Sequence, residues 1–242
     1  MIKSSKYFKF LNKPSQKKLR LFCFPYAGGN ASIYLPFKAL MGEEIELVAV
    51  QLPGRSERMF EDAFTDMDVL VETLYKQISS TLHEPFAFFG HSMGGIIAYA
   101  LTKKIESFSR FKPEFTIISA SKPSALLHQS QKHLLDDKGL IDVLKAHKAS
   151  PKEVLESKEL MDLILPTIRA DYQLIETYVI PKGRLLETPL VLFNSEEDMS
   201  KETIGQWQAY FKDEAKYVLF EGGHFFIHSQ VEKMADEIKK LL

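Results

Sequence analysis

The sequence predicts an α/β fold, a mostly parallel sheet covered by helices on both faces and carrying a helical insertion. Three observations lead there. Short apolar runs of strand length recur along the 242 residues, and several are apolar at both alternating positions, as in a sheet buried on two sides. Amphipathic stretches with helical period separate them, which is the pattern of right-handed strand–helix–strand crossovers. Between about 122 and 186 the strand pattern stops and only helix-like segments remain.

The runs are Leu19–Phe24, Ile45–Leu52, Phe86–Phe89, Phe115–Ser119, Pro189–Phe193 and Tyr217–Phe220. Helical spacing links Val69, Leu70, Leu74 and Ile78 in one stretch that ends near His83. It links Ile96, Ala100, Leu101 and Ile105 in a second, and Val231, Met234, Ile238 and Leu241 in the last. Inside the strand-free region Gly139–His147 and Lys158–Val179 read as helices, punctuated by Pro151, Pro166, Pro181 and Gly183. An insertion placed there lies over the sheet edge where ligands bind, so a lid is expected over about 122–186, within a domain of 19–242.

Residues 1–18 hold Lys3, Lys6, Lys9, Lys13, Lys17 and Lys18 among Tyr7, Phe8 and Phe10, and are expected to form a partly ordered basic tail. They lack the apolar stretch of a secretory signal, and no segment approaches the roughly 18 apolar residues of a membrane span. A formal net charge of −1 offers no global footprint for nucleic acid. The lone cysteine, Cys23, excludes an intramolecular disulfide and sits in an apolar run as a buried, inert thiol. Scattered histidines and one cysteine supply no zinc pattern, so no metal is expected. A cytoplasmic location is the expectation.

Chemistry concentrates at Phe86-Ala-Phe-Phe-Gly-His-Ser-Met-Gly-Gly95. A strand runs into Gly90-x-Ser92-x-Gly94 and then into an apolar-periodic helix, the setting of a nucleophile elbow, and this makes the expected fold that of an α/β-hydrolase. Glycines flank the serine because side chains there would collide with the neighbouring strand and helix, and Gly95 permits close helix–strand approach. Ser92 needs a base, which in this fold follows the final strand. Tyr217-Val-Leu-Phe-Glu-Gly-Gly-His224 provides one in the right place. His91 adjoins the nucleophile with its side chain diverging; His83, His128, His133 and His147 lie elsewhere, and His228 belongs with the closing helix. The acid should follow the penultimate strand, where Glu196, Glu197 and Asp198 stand together; Asp198 matches the strand–turn–Asp layout. Met93, next to the nucleophile, should give one oxyanion donor. Ala27, or failing it Tyr26, in Phe24-Pro-Tyr-Ala-Gly-Gly29 should give the other.

Taken in order, these motifs resemble the type II thioesterases associated with nonribosomal peptide and polyketide synthases. Leu21–Gly29 is similar to that family's opening motif, Gln51-Leu-Pro-Gly-Arg-Ser-Glu-Arg58 to its second block, Phe89–Gly95 to its elbow and Glu221–Phe226 to its histidine loop. Leu165–Tyr172 with Glu176-Thr-Tyr178 is similar to its lid segment. The chain departs from the pattern at Ser195, where a glycine is common, and at Ser121-Lys-Pro123, where an arginine-containing segment is usual.

The resemblance implies hydrolysis of acyl thioesters on the phosphopantetheine arm of acyl or peptidyl carrier domains, in editing or release. The catalytic residues it implies are Ser92, Asp198 and His224, with Ala27 and Met93 as oxyanion donors. The protein itself then needs no cofactor, since the arm belongs to the substrate. Arg55, Arg58, Arg169 and Asp171 are read as ion pairs and caps that hold loop and lid. Thioester cleavage suits such equipment, because a thiol of pKa near 8.5 leaves readily. A chain-releasing fatty-acyl thioesterase, a carboxylester hydrolase and a non-catalytic synthase-binding scaffold are the alternatives.

Overall fold

The computed structural model describes residues 5–146, 152–181 and 183–242; Lys3, His147 and Pro151, invoked above, lie outside the described residues. Seven strands form one sheet: β1 (Phe8–Phe10), β2 (Leu19–Phe24), β3 (Ile45–Val50), β4 (Phe86–His91), β5 (Thr116–Ser119), β6 (Leu190–Ser195) and β7 (Lys216–Phe220). Their spatial order is β1-β3-β2-β4-β5-β6-β7. All neighbours are parallel except β1, which runs antiparallel to β3.

The helices are α1 (Met67–Ile78), α2 (Met93–Phe108), α3 (Asp137–Ala146), α4 (Lys152–Glu156), α5 (Lys158–Glu176), α6 (Lys201–Gly205), α7 (Phe226–Ser229) and α8 (Val231–Lys239). Local chemistry sets several boundaries. The Asp66 side chain accepts from Val69 N at 3.0 Å and caps α1, and Ser157 caps α5 through Leu160 N at 3.3 Å. Such caps are typically worth ~1 kcal/mol.

Two apolar layers sandwich the sheet. On one face Phe22, Phe24, Val48 and Phe88 pack with Leu70 and Leu74 of α1 and Ile97 and Leu101 of α2. On the other Leu21, Cys23, Leu47 and Phe89 pack with Tyr34, Phe37 and, from α8, Met234 and Ile238. The alternation of these two sets along β2, all six residues of which are buried, explains why five of the six are apolar; the sixth, Arg20, pairs with Glu46 at 2.5 Å and Glu84 at 3.1 Å. Each large side chain so buried contributes about 1.5–3 kcal/mol against exposure.

The structure departs from the sequence-based expectation near the N-terminus. Within the segment expected as a basic tail, Phe8–Phe10 forms a strand, with Phe8 5% exposed and Lys9 paired to Glu57 at 2.5 Å. Asn12 extends the attachment by donating to Ile45 O and accepting from Leu47 N. In agreement with the helix read over Lys158–Val179, Pro166 lies inside α5. Pro166 is exposed, and so is Asp162, whose carbonyl the missing N–H would have met, so water can serve that carbonyl.

Between β5 and β6 the described residues are helical or irregular, with α3, α4 and α5 as the helices. Leu140 and Leu144 of α3 pack on Met161, Leu165 and Ile168 of α5 in a small apolar cluster of their own. Among the described residues no helix is long and apolar enough to cross a membrane.

Candidate active site

The turn between β4 and α2 places Ser92 at φ 55°, ψ −117°, a conformation that costs on the order of 1–3 kcal/mol for a non-glycine residue. Its N–H donates to Ser119 O of β5 at 2.7 Å, which anchors the strained residue to the next strand. The flanking glycines are dictated by backbone contact. A Cβ on Gly90 would lie 2.0 Å from Gly94 O, and one on Gly94 would lie 2.0 Å from Phe24 O of β2. At Gly95 it would meet Ser121 Cβ at 2.8 Å. The helix can start this close to the sheet only where side chains are absent, and that closeness thrusts the Ser92 hydroxyl out of the turn.

The His224 ring reaches Ser92 from beyond β7. Its Nε2 is 2.9 Å from Ser92 Oγ, and its Nδ1 is 2.9 and 3.0 Å from the two Asp198 oxygens. A carboxylate only accepts, so Nδ1 carries the proton and donates to Asp198. That leaves Nε2 to accept from the serine hydroxyl. Alcohol, imidazole and carboxylate, from three loops at the C-terminal ends of β4, β7 and β6, form one hydrogen-bonded line.

The acidic loop sorts its own residues. Asp198 faces His224, whereas Glu197 Oε1 accepts from Gly222 N at 3.0 Å and Glu196 is exposed. Ser195, at the position where a glycine is common, is fully buried; its hydroxyl donates to Gly222 O and accepts from Glu197 N at 3.2 Å. A serine there ties the acid loop to the histidine loop, and Gly222, at φ +96°, makes the latter's turn.

The remaining described histidines fall outside this line. His128 Nδ1 donates to Glu176 O, His133 Nδ1 contacts the Glu176 carboxylate at 2.6 Å, and His83 is exposed. His228 lies on α7, its Nε2 2.9 Å from the Tyr26 hydroxyl. His91 is fully buried beneath the site, with Nδ1 2.9 Å from Ser119 Oγ and Nε2 2.8 Å from the carbonyl of His224. Burial, reinforced by the neighbouring His224 ring, pushes His91 well below the ordinary histidine range, so it is neutral. The sequence showed only that His91 points away from Ser92; its contact spans 133 residues and has no local signature.

Ala27 and Met93 share with Ser92 and His224 the wall of a cavity of about 430 Å³. Met93 opens α2, so its N–H has no intrahelical acceptor and is free to bind an anion. Ile96, Leu144, Ile168 and Ile175 make much of the cavity apolar, and α3 and α5 roof it. Lys132 stands on the same wall with its ammonium 5.2 Å from the Tyr172 ring centroid; burial lowers its pKa despite the nearby Glu176. A larger groove, about 670 Å³, runs between α1 and α2 on the surface, but it is lined by no serine–histidine pair. Among the described residues no group of three or more His, Cys, Asp or Glu is placed to hold a metal ion.

The charged residues singled out in the sequence are structural partners of the roof and loops. Arg55 and Asp171 form a buried bidentate pair. Arg58 binds Glu61 and Gln51 O. Arg169 reaches His133 O, Leu135 O and Asp137. Glu176, buried near the C-terminal end of α5, accepts from Ser130 Oγ and from the backbone N–H groups of Lys132 and His133. Burial raises its pKa, yet these hydrogen bonds outweigh that effect and hold the carboxyl below its ordinary value.

Residues 19–242 match the family model of the thioesterase domain. The gramicidin S biosynthesis protein GrsT of Aneurinibacillus migulanus is 32% identical over 241 residues, covering 98% of this chain and 94% of that protein. The human medium-chain S-acyl fatty acid synthase thioesterase is 28% identical over 226 residues, 91% of this chain and 85% of its own length. Among solved structures, the type II thioesterase BorB from the borrelidin biosynthetic cluster superposes with a TM-score of 0.89 at 28% identity, covering 99% of this chain and 98% of that one.

Proposed function

Because the chain belongs to the thioesterase-domain family, we propose that it hydrolyses acyl thioesters carried on the phosphopantetheine arm of carrier domains, as an editing or release enzyme for nonribosomal peptide or polyketide synthesis. The observation that carries the hydrolytic part is the line Asp198–His224–Ser92 opening onto a largely apolar cavity of acyl size. The carrier-bound substrate is supported by likeness to GrsT, named for gramicidin S biosynthesis, to BorB, a type II thioesterase from the borrelidin biosynthetic cluster, and to ClbQ, from the colibactin NRPS/PKS pathway.

Ser92 Oγ attacks the thioester carbonyl carbon as His224 Nε2 takes its proton, and Asp198 stabilises the imidazolium through Nδ1–H. Charge developing on the carbonyl oxygen is met by the N–H groups of Ala27 and Met93. A single donor of this kind is worth about 2.7–4 kcal/mol in a comparable hydrolase. The C–S bond then breaks, the pantetheine sulfur leaves with the proton from His224, and the acyl group stays on Ser92 as an ester. Water attacks this ester with His224 again as base, releasing the carboxylic acid and restoring the hydroxyl. The protein needs no cofactor for these steps. Carrier domains of such synthases would place the work in the cytoplasm.

The test compares hydrolysis of one acyl group on a carrier protein, on coenzyme A and as a nitrophenyl ester, with Ser92→Ala as control. Preference for the carrier thioester is the expected result. A clear preference for the oxygen ester would instead make the protein a carboxylester hydrolase. Fluorophosphonate should modify the wild type and spare Ser92→Ala; equal modification of both would remove Ser92 from the mechanism and leave the scaffold alternative standing.

A further inference from the structure

The loop that follows β2 is held by a residue of the roof. Gly28 N–H, the peptide next to Ala27, donates to Asp171 Oδ2 of α5 at 2.7 Å. The same carboxylate receives Arg55 Nη1 at 2.8 Å and Nη2 at 2.7 Å. Arg55 Nη1 also reaches Gly29 O at 3.1 Å, while its Nε donates to Pro53 O at 3.1 Å. One ion pair thus grips the backbone of two successive residues of the loop, Gly28 through its N–H and Gly29 through its C=O. Both partners are buried, with Asp171 1% and Arg55 6% exposed. Gly28 has φ +76°, and a Cβ there would lie 3.2 Å from Ile168 of the same helix, so the loop is pressed against α5 at this point.

We propose that Asp171 and Arg55 are positioning residues for the oxyanion site, fixing where the Ala27 N–H points, and that α5 and this loop consequently behave as one rigid piece. The inference rests on Ala27 being an oxyanion donor, as set out above. An oxyanion donor works only if it is held in place before charge develops, and sub-ångström drift removes much of its effect. The loop's other anchors, Tyr34 Oη to Phe24 O at 2.5 Å, Tyr26 Oη to His228 Nε2 at 2.9 Å and Ala31 N to Gln51 Oε1 at 3.1 Å, hold its ends and the Tyr26 side chain rather than the Gly28 and Gly29 backbone. The loop's own closure, Gly29 N to Tyr26 O at 2.9 Å, fixes the carbonyl side of the peptide that carries the Ala27 N–H, and the ion pair seats that closed turn against α5. A buried carboxylate–guanidinium pair is also a geometrically exacting anchor, because its planar fork admits one orientation.

The pair would serve packing alone if the loop kept its geometry without it, and kinetics separate the two. Asp171→Asn and Arg55→Lys should each lower kcat, counted per Ser92 titratable by fluorophosphonate at end point, by roughly 10-fold or more, and leave KM within about 2-fold. Affinity for an alkyl boronic acid, whose adduct with Ser92 puts an oxygen in the oxyanion site, should fall in proportion to kcat. A purely structural pair would lower the melting temperature and the titratable fraction while kcat per titrated site stayed at the wild-type value, and that result overturns the proposal. Should Asp171→Asn fail to fold, Arg55→Lys decides by the same criteria. Running a nitrophenyl ester beside the acyl-carrier thioester keeps two failures apart. Loss of the thioester preference in the wild type would sink the substrate assignment, whereas the variant-to-wild-type ratio on either compound still judges the positioning role.

Discussion

The buried ring of His91 supports the loop of His224: its Nε2 lies 2.8 Å from the His224 carbonyl oxygen. A carbonyl only accepts, so Nε2 holds the proton of the neutral ring, and Nδ1 accepts from Ser119 Oγ at 2.9 Å. Two histidines side by side therefore have opposite tautomers and different duties. His224 carries its proton on Nδ1 toward Asp198, and His91 carries its own on Nε2 toward the backbone of His224.

This arrangement has a pH consequence. Burial holds His91 below the ordinary histidine range, while an unfolded histidine titrates near 6.5. Below that pH the unfolded chain binds a proton that the folded chain refuses, so His91's contribution to stability is whole above about 6.5 and declines as pH falls toward the folded value. Urea midpoints from pH 7 to 5 should drop for the wild type, with at most about 1.4 kcal/mol per pH unit owed to this one group. His91→Gln, which keeps a donor and an acceptor, should flatten the trend; matching slopes would exclude His91 as its source.

Substitutions along the catalytic line should separate its members. His224→Ala should cost about 10²-fold or more in kcat, and Asp198→Asn between about 10²- and 10⁴-fold through loss of the correct tautomer. Glu197→Gln should change kcat far less, because the Glu197 carboxylate accepts from Gly222 N and does not face His224. Steady-state rates on an acyl-carrier substrate measure all three. A Glu197→Gln loss equal to that of Asp198→Asn would reassign the acid.

The glycines of the motifs are not equivalent. Gly94→Ala drives a methyl into Phe24 O at 2.0 Å, so destabilisation at or beyond about 3 kcal/mol, or failure to fold, is expected. Gly223 has nothing within 4 Å of a built Cβ and no left-handed φ, and Gly223→Ala should stay within about 0.5 kcal/mol. Denaturant melts of the two variants give the contrast; similar stabilities would mean that the elbow relaxes more easily than its packing indicates.

Acyl selectivity should respond to the roof. Leu144 of α3 is 5% exposed and lines the cavity with Ile168 and Ile175. Leu144→Trp fills that end and should lower kcat/KM for a hexanoyl relative to an acetyl thioester by about 10-fold. Retained chain-length preference, with fluorophosphonate reactivity unchanged, would place the acyl chain elsewhere.

Local chemistry made much of this legible from sequence. Gly90, Ser92 and Gly94 announce the elbow because each is forced by contacts within a few residues or with the adjoining strand, and all six apolar runs correspond to strands of the sheet. What stayed hidden depends on partners far away in the chain. Arg55 and Asp171 read as ion-pair residues of loop and lid, but that they pair with each other, across 116 residues, has no local signature. Phe8–Phe10 is three residues long, too short to establish an alternation, and its strand exists through pairing with β3.

That short first strand has a further effect, on how the molecule keeps to itself. It runs along β3, whose backbone would otherwise form the open margin of the sheet, and it presents to solvent a brief ribbon bearing the charged Lys9. Short margins with a lysine resist recruitment of a neighbour's strand. A version trimmed back to Leu19 would keep Ser92, Asp198 and His224, yet it would bare a six-residue template of unpaired amides, with self-association as the expected penalty.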